Sequence, residues 1–379
     1  MQNHNRNNTL LITLLFACSL FALFTVMIYS TSDLATSARS AALYEPETKS
    51  FIYEKNQNKR LPMASTTKIM TALVALENSE LSRVVNIDRR AVGVEGSSLY
   101  LNEGEELSME DLLYALLLRS ANDAALAIAY DISGSVEEFS RLMNEKAGKL
   151  GLSDTNFTNP HGLDDELHYT TAHDLAIIAA AALENPDFQR ISSTYKKSIK
   201  NSEGLSRLLV NHNKLLSLYD GAIGVKTGFT KKSGRCLVGA AERDGLRLVS
   251  VTIDAPNDWS DHQAMLDYGF SRYESRRLAD SHEYAYTIPV LDAEDEMAVV
   301  RVSNTDELRQ VMAKASPEIK AQVSLPRYTA APISEGEVLG RVSFTQDGVL
   351  IGSVELKAES AVKAKQRKSI FDIFTKVKD

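Results

Sequence analysis

Cysteine is nearly missing from this chain. Cys18 lies inside an apolar N-terminal run and Cys236 sits far away in a strand-like stretch, so a disulfide framework is excluded. An excess of positive charge is missing too: 42 Lys and Arg stand against 50 Asp and Glu, a net charge of −8. Binding to phosphate needs a basic face, so nucleic acid is not expected as a partner. No H-E-x-x-H or other tight ligand spacing occurs, and His161 and His173 fit loop and helix-start positions. Neither a metal nor another cofactor is therefore expected. Internal repeats and low-complexity linkers are absent as well. What remains is a globular composition, 44% hydrophobic and 24% charged, over 379 residues, too many for one ordinary core.

Charge is also absent from Thr9 to Tyr29, directly after a short N-terminal stretch carrying Arg6 and no acid. That pattern reads as an export signal, and the apolar run has about the ~20 residues a bilayer-crossing helix needs. Residues 1–38 are thus expected to be a signal peptide or a retained membrane anchor, and everything after them exported.

Beyond this segment, Ser40 to Tyr44 and Ser50 to Tyr53 flank Glu45-Pro46-Glu47-Thr48 and predict a β-hairpin. Helices are expected over Ser65 to Glu77, Met109 to Ile132, Val136 to Leu150, Thr171 to Leu183 and Gln263 to Tyr268. Gly224 to Thr227, Arg235 to Glu242 and Arg247 to Ile253 read as strands. Strands at both ends with helices between give an α+β domain over residues 39–277, an antiparallel sheet with helices packed on it. The short strand-like runs between Tyr284 and Leu356 predict a small β-sandwich domain over residues 278–360. The last segment, 361–379, holds six bases against two acids, with Ile370, Phe371, Ile373, Phe374 and Val377 close together. A short basic amphipathic helix suits an anionic membrane surface.

Three short motifs follow one another in the larger domain. Ser65-Thr66-Thr67-Lys68 is S-x-x-K, Ser120-Ala121-Asn122 is S-x-N, and Lys226-Thr227-Gly228 is K-T-G. Each is weak alone, and their settings add the information. Ser65 and Lys68 lie three apart on a predicted helix and share a face. That helix is apolar on all sides, so Lys68 is kept from water, loses affinity for its proton, and can take one from Ser65. Ser120 is positioned to relay protons to a leaving amine, and Asn122 to hydrogen-bond a substrate amide. On the K-T-G strand, Lys226 and Gly228 share a face, with the glycine leaving room for substrate backbone. Lys226 offers positive charge to a substrate carboxylate. Cys236, among Leu237, Val238 and Gly239, reads as a small buried strand residue.

Together the motifs resemble the penicillin-recognising serine enzymes. Tyr53-Glu54-Lys55-Asn56, Leu61 through Leu73, Arg119 through Ala125, Phe157 through Leu163, Tyr169 through Leu175 and Gly224 through Thr230 are more closely similar to the low-molecular-mass D-alanyl-D-alanine carboxypeptidases, the peptidase S11 family. Ala331 through Gly340 looks like the small C-terminal β domain that some members carry.

The resemblance implies a β-lactamase/transpeptidase-like fold. It implies Ser65, Lys68 and Ser120 as catalytic residues, and Asn122, Lys226, Thr227 and Gly228 as substrate-binding ones. It also implies peptidoglycan stem peptides ending in D-Ala-D-Ala as substrate, and β-lactam antibiotics as inhibitors. Where some members place an arginine between two asparagines, this chain reads Asn211-His212-Asn213, and no basic residue is evident near Asp258-Trp259. Carboxylate recognition is accordingly expected to rest on Lys226 and Thr227. A β-lactamase would add a glutamate in an E-x-x-L-N context, which is not found, and a non-catalytic sensor would have no chemical need for both Ser65 and Lys68.

Overall fold

The structure, a computed structural model, describes residues 34–314 and 317–366. The expected export segment up to Asp33 and most of the basic tail lie outside the described residues. Ser40–Glu45 (β1) and Ser50–Lys55 (β2) form the expected hairpin. A 3-10 turn, Ala64–Thr67, leads into helix Lys68–Asn78 (α1). Val84–Asn86 (β3) pairs with Glu106–Ser108 (β4). Helices Met109–Leu118 (α2), Asn122–Ser133 (α3), Val136–Lys149 (α4), Ala172–Leu183 (α5) and Pro186–Ser192 (α6) follow. Their starts are written in the sequence: Ser108, Ser135 and Thr171 each accept the N–H three residues on, from Asp111, Glu138 and Asp174. A hairpin, Lys196–Lys200 (β5) with Ser206–Val210 (β6), and a single turn, Leu215–Leu218 (α7), precede the remaining strands.

Ala222–Thr230 (β7), Gly234–Arg243 (β8) and Leu246–Ile253 (β9) join the first hairpin in an antiparallel sheet of order β2-β1-β9-β8-β7, and Asp258–Arg272 (α8) closes the unit. One face packs on the main helical core through Val238 and Val251, with Ile69, Met70, Leu112 and Ile178 opposite. Leu43, Leu237 and Leu248 on the other face pack against Met265 and Leu266 of α8. Burial on both faces explains why β8 and β9 read as nearly continuous apolar runs rather than alternating ones. β7 lies at the sheet's edge, paired on one side only.

One expected helix is two. The stretch from Met109 to Ile132 is broken at Arg119–Ala121, where Ser120 takes a φ of +60° and the Ala121 N–H turns back to Ala115 O. S-x-N therefore sits on a strained turn between helices rather than inside one.

The chain passes to its second unit along Tyr273–Ala279 (β10): Tyr273 packs with the α8 side of the first, whereas Leu278 and Ala279 join a separate apolar cluster. That unit contains Ala285–Leu291 (β11), Val299–Ser303 (β12), Leu308–Ala313 (β13), Ile319–Ser324 (β14), Thr329–Ala330 (β15), Val338–Gln346 (β16) and Val349–Ala358 (β17). A six-stranded sheet of order β14-β16-β17-β12-β11-β15 and a β10–β13 ribbon enclose Ile288, Val300, Val342, Phe344 and Leu356. No helix among the described residues is long and apolar enough to cross a membrane.

Candidate active site

Three segments meet at the free edge of β7: the turn that opens α1, the broken α2–α3 connection, and the K-T-G stretch of β7 itself. The turn is held open by its own side chains. Ala64 adopts φ +47°, a left-handed conformation rarely taken by non-glycine residues. The Thr66 hydroxyl donates to Met63 O at 2.6 Å and the Thr67 hydroxyl to Ala64 O at 2.8 Å. Buried His168 completes the brace. Its Nδ1 accepts the Thr158 N–H at 3.0 Å, so its Nε2 carries the proton and donates to Thr67 Oγ1 at 2.8 Å. Burial depresses the His168 imidazolium to a pKa of about 4, which keeps that tautomer neutral.

Lys68 is fully buried at the first turn of α1. Its Nζ lies 2.7 Å from Asn122 Oδ1, 2.6 Å from the carbonyl oxygen of His161 and 3.0 Å from Ser65 Oγ. Two of these partners are carbonyl oxygens, which only accept. A neutral amine has two N–H groups for them, and its lone pair is then left to face the Ser65 hydroxyl. Burial, reinforced by the charge of Lys226 and opposed by Asp123, drives the Lys68 pKa well below its ordinary value. Geometry and protonation thus agree on a base aimed at a serine.

Asn122, expected to hydrogen-bond a substrate amide, is engaged within the protein. Its Oδ1 accepts a hydrogen bond from Lys68 Nζ, its Nδ2 donates to Glu95 O at 2.7 Å, and its backbone N–H donates to Ser97 O at 2.7 Å. The residue is buried and holds Lys68 against the 95–101 loop. Asp123, beside it, fastens that loop: its carboxylate accepts the N–H groups of Leu99 and Leu101 and the Ser98 hydroxyl, at 3.0, 3.1 and 2.6 Å. Ser120 lies on the wall of the cavity, and among the described residues its hydroxyl makes no hydrogen bond to Lys68.

On β7, Gly228 is required by close approach. A β-carbon there would lie 3.0 Å from the Ser65 nitrogen and 3.1 Å from that of Thr66. The Thr230 N–H is already donated to Ser233 Oγ at 3.0 Å, on the β8 side. By alternation along the strand, the Phe229 N–H points to the free edge instead. Lys226 is 1% exposed, its Nζ donates to Thr227 O at 2.9 Å, and burial lowers its pKa to about 7. The expectation that Lys226 reaches out to a carboxylate therefore meets a buried amine; it stands behind the site.

A cavity of about 770 Å³ opens in front of these groups, lined among others by Ser65, Ser120, Thr227, Gly228, His212 and Arg235. Of the sequence-derived site residues, Ser65, Ser120, Thr227 and Gly228 face it, whereas Lys68, Asn122 and Lys226 are buried behind. Sequence reasoning missed the His161 carbonyl, the His168 brace, the Asp123 latch and Arg235. A main-chain carbonyl leaves no residue signature, and Asp123 directly follows S-x-N without being one of its letters. Cys236 is a buried strand residue as expected, its thiol pushed up to about 11 by burial.

A family model described as D-alanyl-D-alanine carboxypeptidase matches residues 27–257, and one described as penicillin-binding protein 5, C-terminal domain, matches residues 273–364. The chain is 34% identical over 356 residues to the D-alanyl-D-alanine carboxypeptidase DacF of Bacillus subtilis (strain 168), covering 91% of this chain and 90% of that one. Among solved structures it is similar to penicillin binding protein 5 from Haemophilus influenzae, with a TM-score of 0.67 and 27% identity over 88% of this chain and 100% of that one. A mutant of the Streptomyces K15 DD-transpeptidase also matches, with a TM-score of 0.61 and 32% identity over 63% of this chain and 100% of that one.

Proposed function

The chain belongs to the D-alanyl-D-alanine carboxypeptidases of the peptidase S11 family, and from that membership we propose that it removes the terminal D-alanine from peptidoglycan stem peptides through an acyl-enzyme on Ser65. The observation that carries this reading is the Lys68 amine, 3.0 Å from Ser65 Oγ with two carbonyl acceptors on its N–H groups. Lys68 takes the hydroxyl proton as Ser65 attacks the carbonyl between the two D-alanines. The N–H groups of Ser65 and Phe229 receive the developing oxyanion. Ser120 passes a proton to the departing amine. Water then cleaves the ester, and Ser65 recovers its proton. β-Lactams acylate the same serine and stay, since the chain carries no E-x-x-L-N glutamate to drive deacylation. The enzyme works outside the cytoplasmic membrane, as its substrate and the uncharged Thr9 to Tyr29 segment require, and touches the membrane surface through its basic end.

Fluorescent penicillin and a D-Ala-D-Ala peptide test the reading together. The wild type is expected to take up the label and release D-alanine, and Ser65→Ala to do neither while retaining its fold. Rapid loss of the label by turnover points instead to a β-lactamase, and label without D-alanine release to a sensor. Undiminished labelling of Ser65→Ala removes the nucleophile from the scheme.

A further inference from the structure

The substrate of the proposed reaction ends in a carboxylate, and resting on that reading we infer that Arg235 is the residue that recognises it. The cavity decides between the candidates. Lys68 and Lys226 are buried and do not line it; among the described residues, its cationic lining is Lys214 and Arg235. Arg235 opens β8 directly across from Phe229, the residue after K-T-G. Cross-strand partners share a face, so Phe229 and Arg235 stand together with Thr227, next but one along β7.

The guanidinium is held there. Its Nη2 reaches both oxygens of Asp258, at 2.9 and 2.8 Å, and its plane lies near the Trp259 ring, 5.9 Å from the centroid. Asp258 is almost wholly buried and also accepts the Trp259 N–H at the start of α8, while the arginine side chain remains 43% exposed. Part of the fork is thus fixed while the partly exposed side chain lines the cavity, which makes a pre-organised seat for a planar carboxylate. Arginine also keeps its charge at every working pH, whereas Lys226, with a pKa of about 7, loses it as the medium becomes alkaline. Lys214 is exposed on a flexible stem and has no comparable anchor.

The test compares a peptide ending in D-Ala-D-Ala with the same peptide ending in D-Ala-D-alaninamide, on wild type, Arg235→Gln, Arg235→Lys and Lys214→Ala. Wild type is expected to prefer the acid. In Arg235→Gln, kcat/KM for the acid falls roughly 10- to 100-fold, the loss of one charge-assisted contact, while the amide changes little. Arg235→Lys restores part of the preference, and Lys214→Ala leaves it intact. Equal losses on both peptides would make Arg235 merely structural, and an unchanged preference in Arg235→Gln would overturn the assignment outright. Calorimetric binding of both peptides to the Ser65→Ala protein reads the same preference without turnover. A wild type that binds acid over amide yet hydrolyses neither counts against the proposed reaction and leaves the seat standing.

Discussion

At the scale of single residues the site depends on which form of an amine the surroundings accept. Lysine and arginine both carry a positive charge, but only lysine gives its proton up under burial. Lys68→Arg is therefore expected to fail as completely as Lys68→Ala, with acylation by penicillin falling at least 10²- to 10⁴-fold, the usual worth of a positioned base. Rates in Lys68→Arg near those of wild type would show that positive charge, not proton transfer, is what Ser65 needs. Lys226 offers a second test, through stability. Its folded pKa of about 7 lies below the unfolded value near 10.4, so between these limits the unfolded chain binds the extra proton. Stability should accordingly rise with pH across that window, and the burial cost is present in full below it. In Lys226→Met this part of the rise should vanish, by a few kcal/mol in urea titrations at pH 6 and pH 10. Equal pH dependence in the two proteins would mean that Lys226 is not strained by burial. Ser65, Lys68 and K-T-G were legible in the sequence because spacing on a helix and a strand fixes their faces. Burial of Lys226 behind the cavity was not legible, since alternation along a strand identifies a face without saying what covers it.

At the scale of elements, the site exists because β7 and the opening of α1 come closer than side chains ordinarily allow. Gly228→Ala places a β-carbon about van der Waals contact or less from two backbone nitrogens, 3.0 and 3.1 Å away, which cannot yield as a side chain would. The expected result is a folded protein whose labelling by penicillin is slowed by more than tenfold, because either the strand or the Ser65 turn must retreat. Labelling at the wild-type rate would show that the edge strand has slack. The broken helix teaches the complementary lesson. Leu112 to Leu118 and Ala124 to Ile128 are good helix formers that favour continuing, and Ser120, Asn122 and Asp123 between them favour caps and turns without fixing where the chain breaks. The positive φ of Ser120 is imposed from outside, by the Asn122 N–H bonded to Ser97 O and the Asp123 carboxylate gripping Leu99 and Leu101. Partners some 20 to 25 residues distant in sequence decide it, and local reading does not see them. The β5–β6 hairpin escaped for another reason: Lys196 to Lys200 is mostly polar, with Ile199 its one fully buried side chain, so neither period stands out.

For the whole molecule, the proposed contact with an anionic membrane surface has to be reconciled with a net charge of −8. The bulk repels such a surface, so attachment must be local. Residues 361–379 were expected to form one basic amphipathic segment, but its first part is engaged elsewhere. Val362 bridges Ile333, Ala364 bridges Ala293, and Lys365 bonds Asp292 O through its backbone and Glu296 at 3.0 Å through its side chain. These contacts fasten residues up to Lys365 to the β domain, which leaves Arg367 to Asp379, outside the described residues, as the segment to test. It holds four bases against two acids, together with Ile370, Phe371, Ile373, Phe374 and Val377. Surface attraction contributes ~1 kcal/mol per Lys or Arg, so binding should be weak and reversible, supported by the apolar side chains. A protein lacking residues 1–38 is expected to sediment with vesicles rich in phosphatidylglycerol, less so as salt rises because screening shortens the reach of charge. Removing 367–379 should release it while penicillin labelling in solution stays unchanged, as Ser65, Lys68 and the K-T-G strand all lie in the first unit. Equal sedimentation of the shortened protein would show that residues 367–379 are not what binds the vesicles.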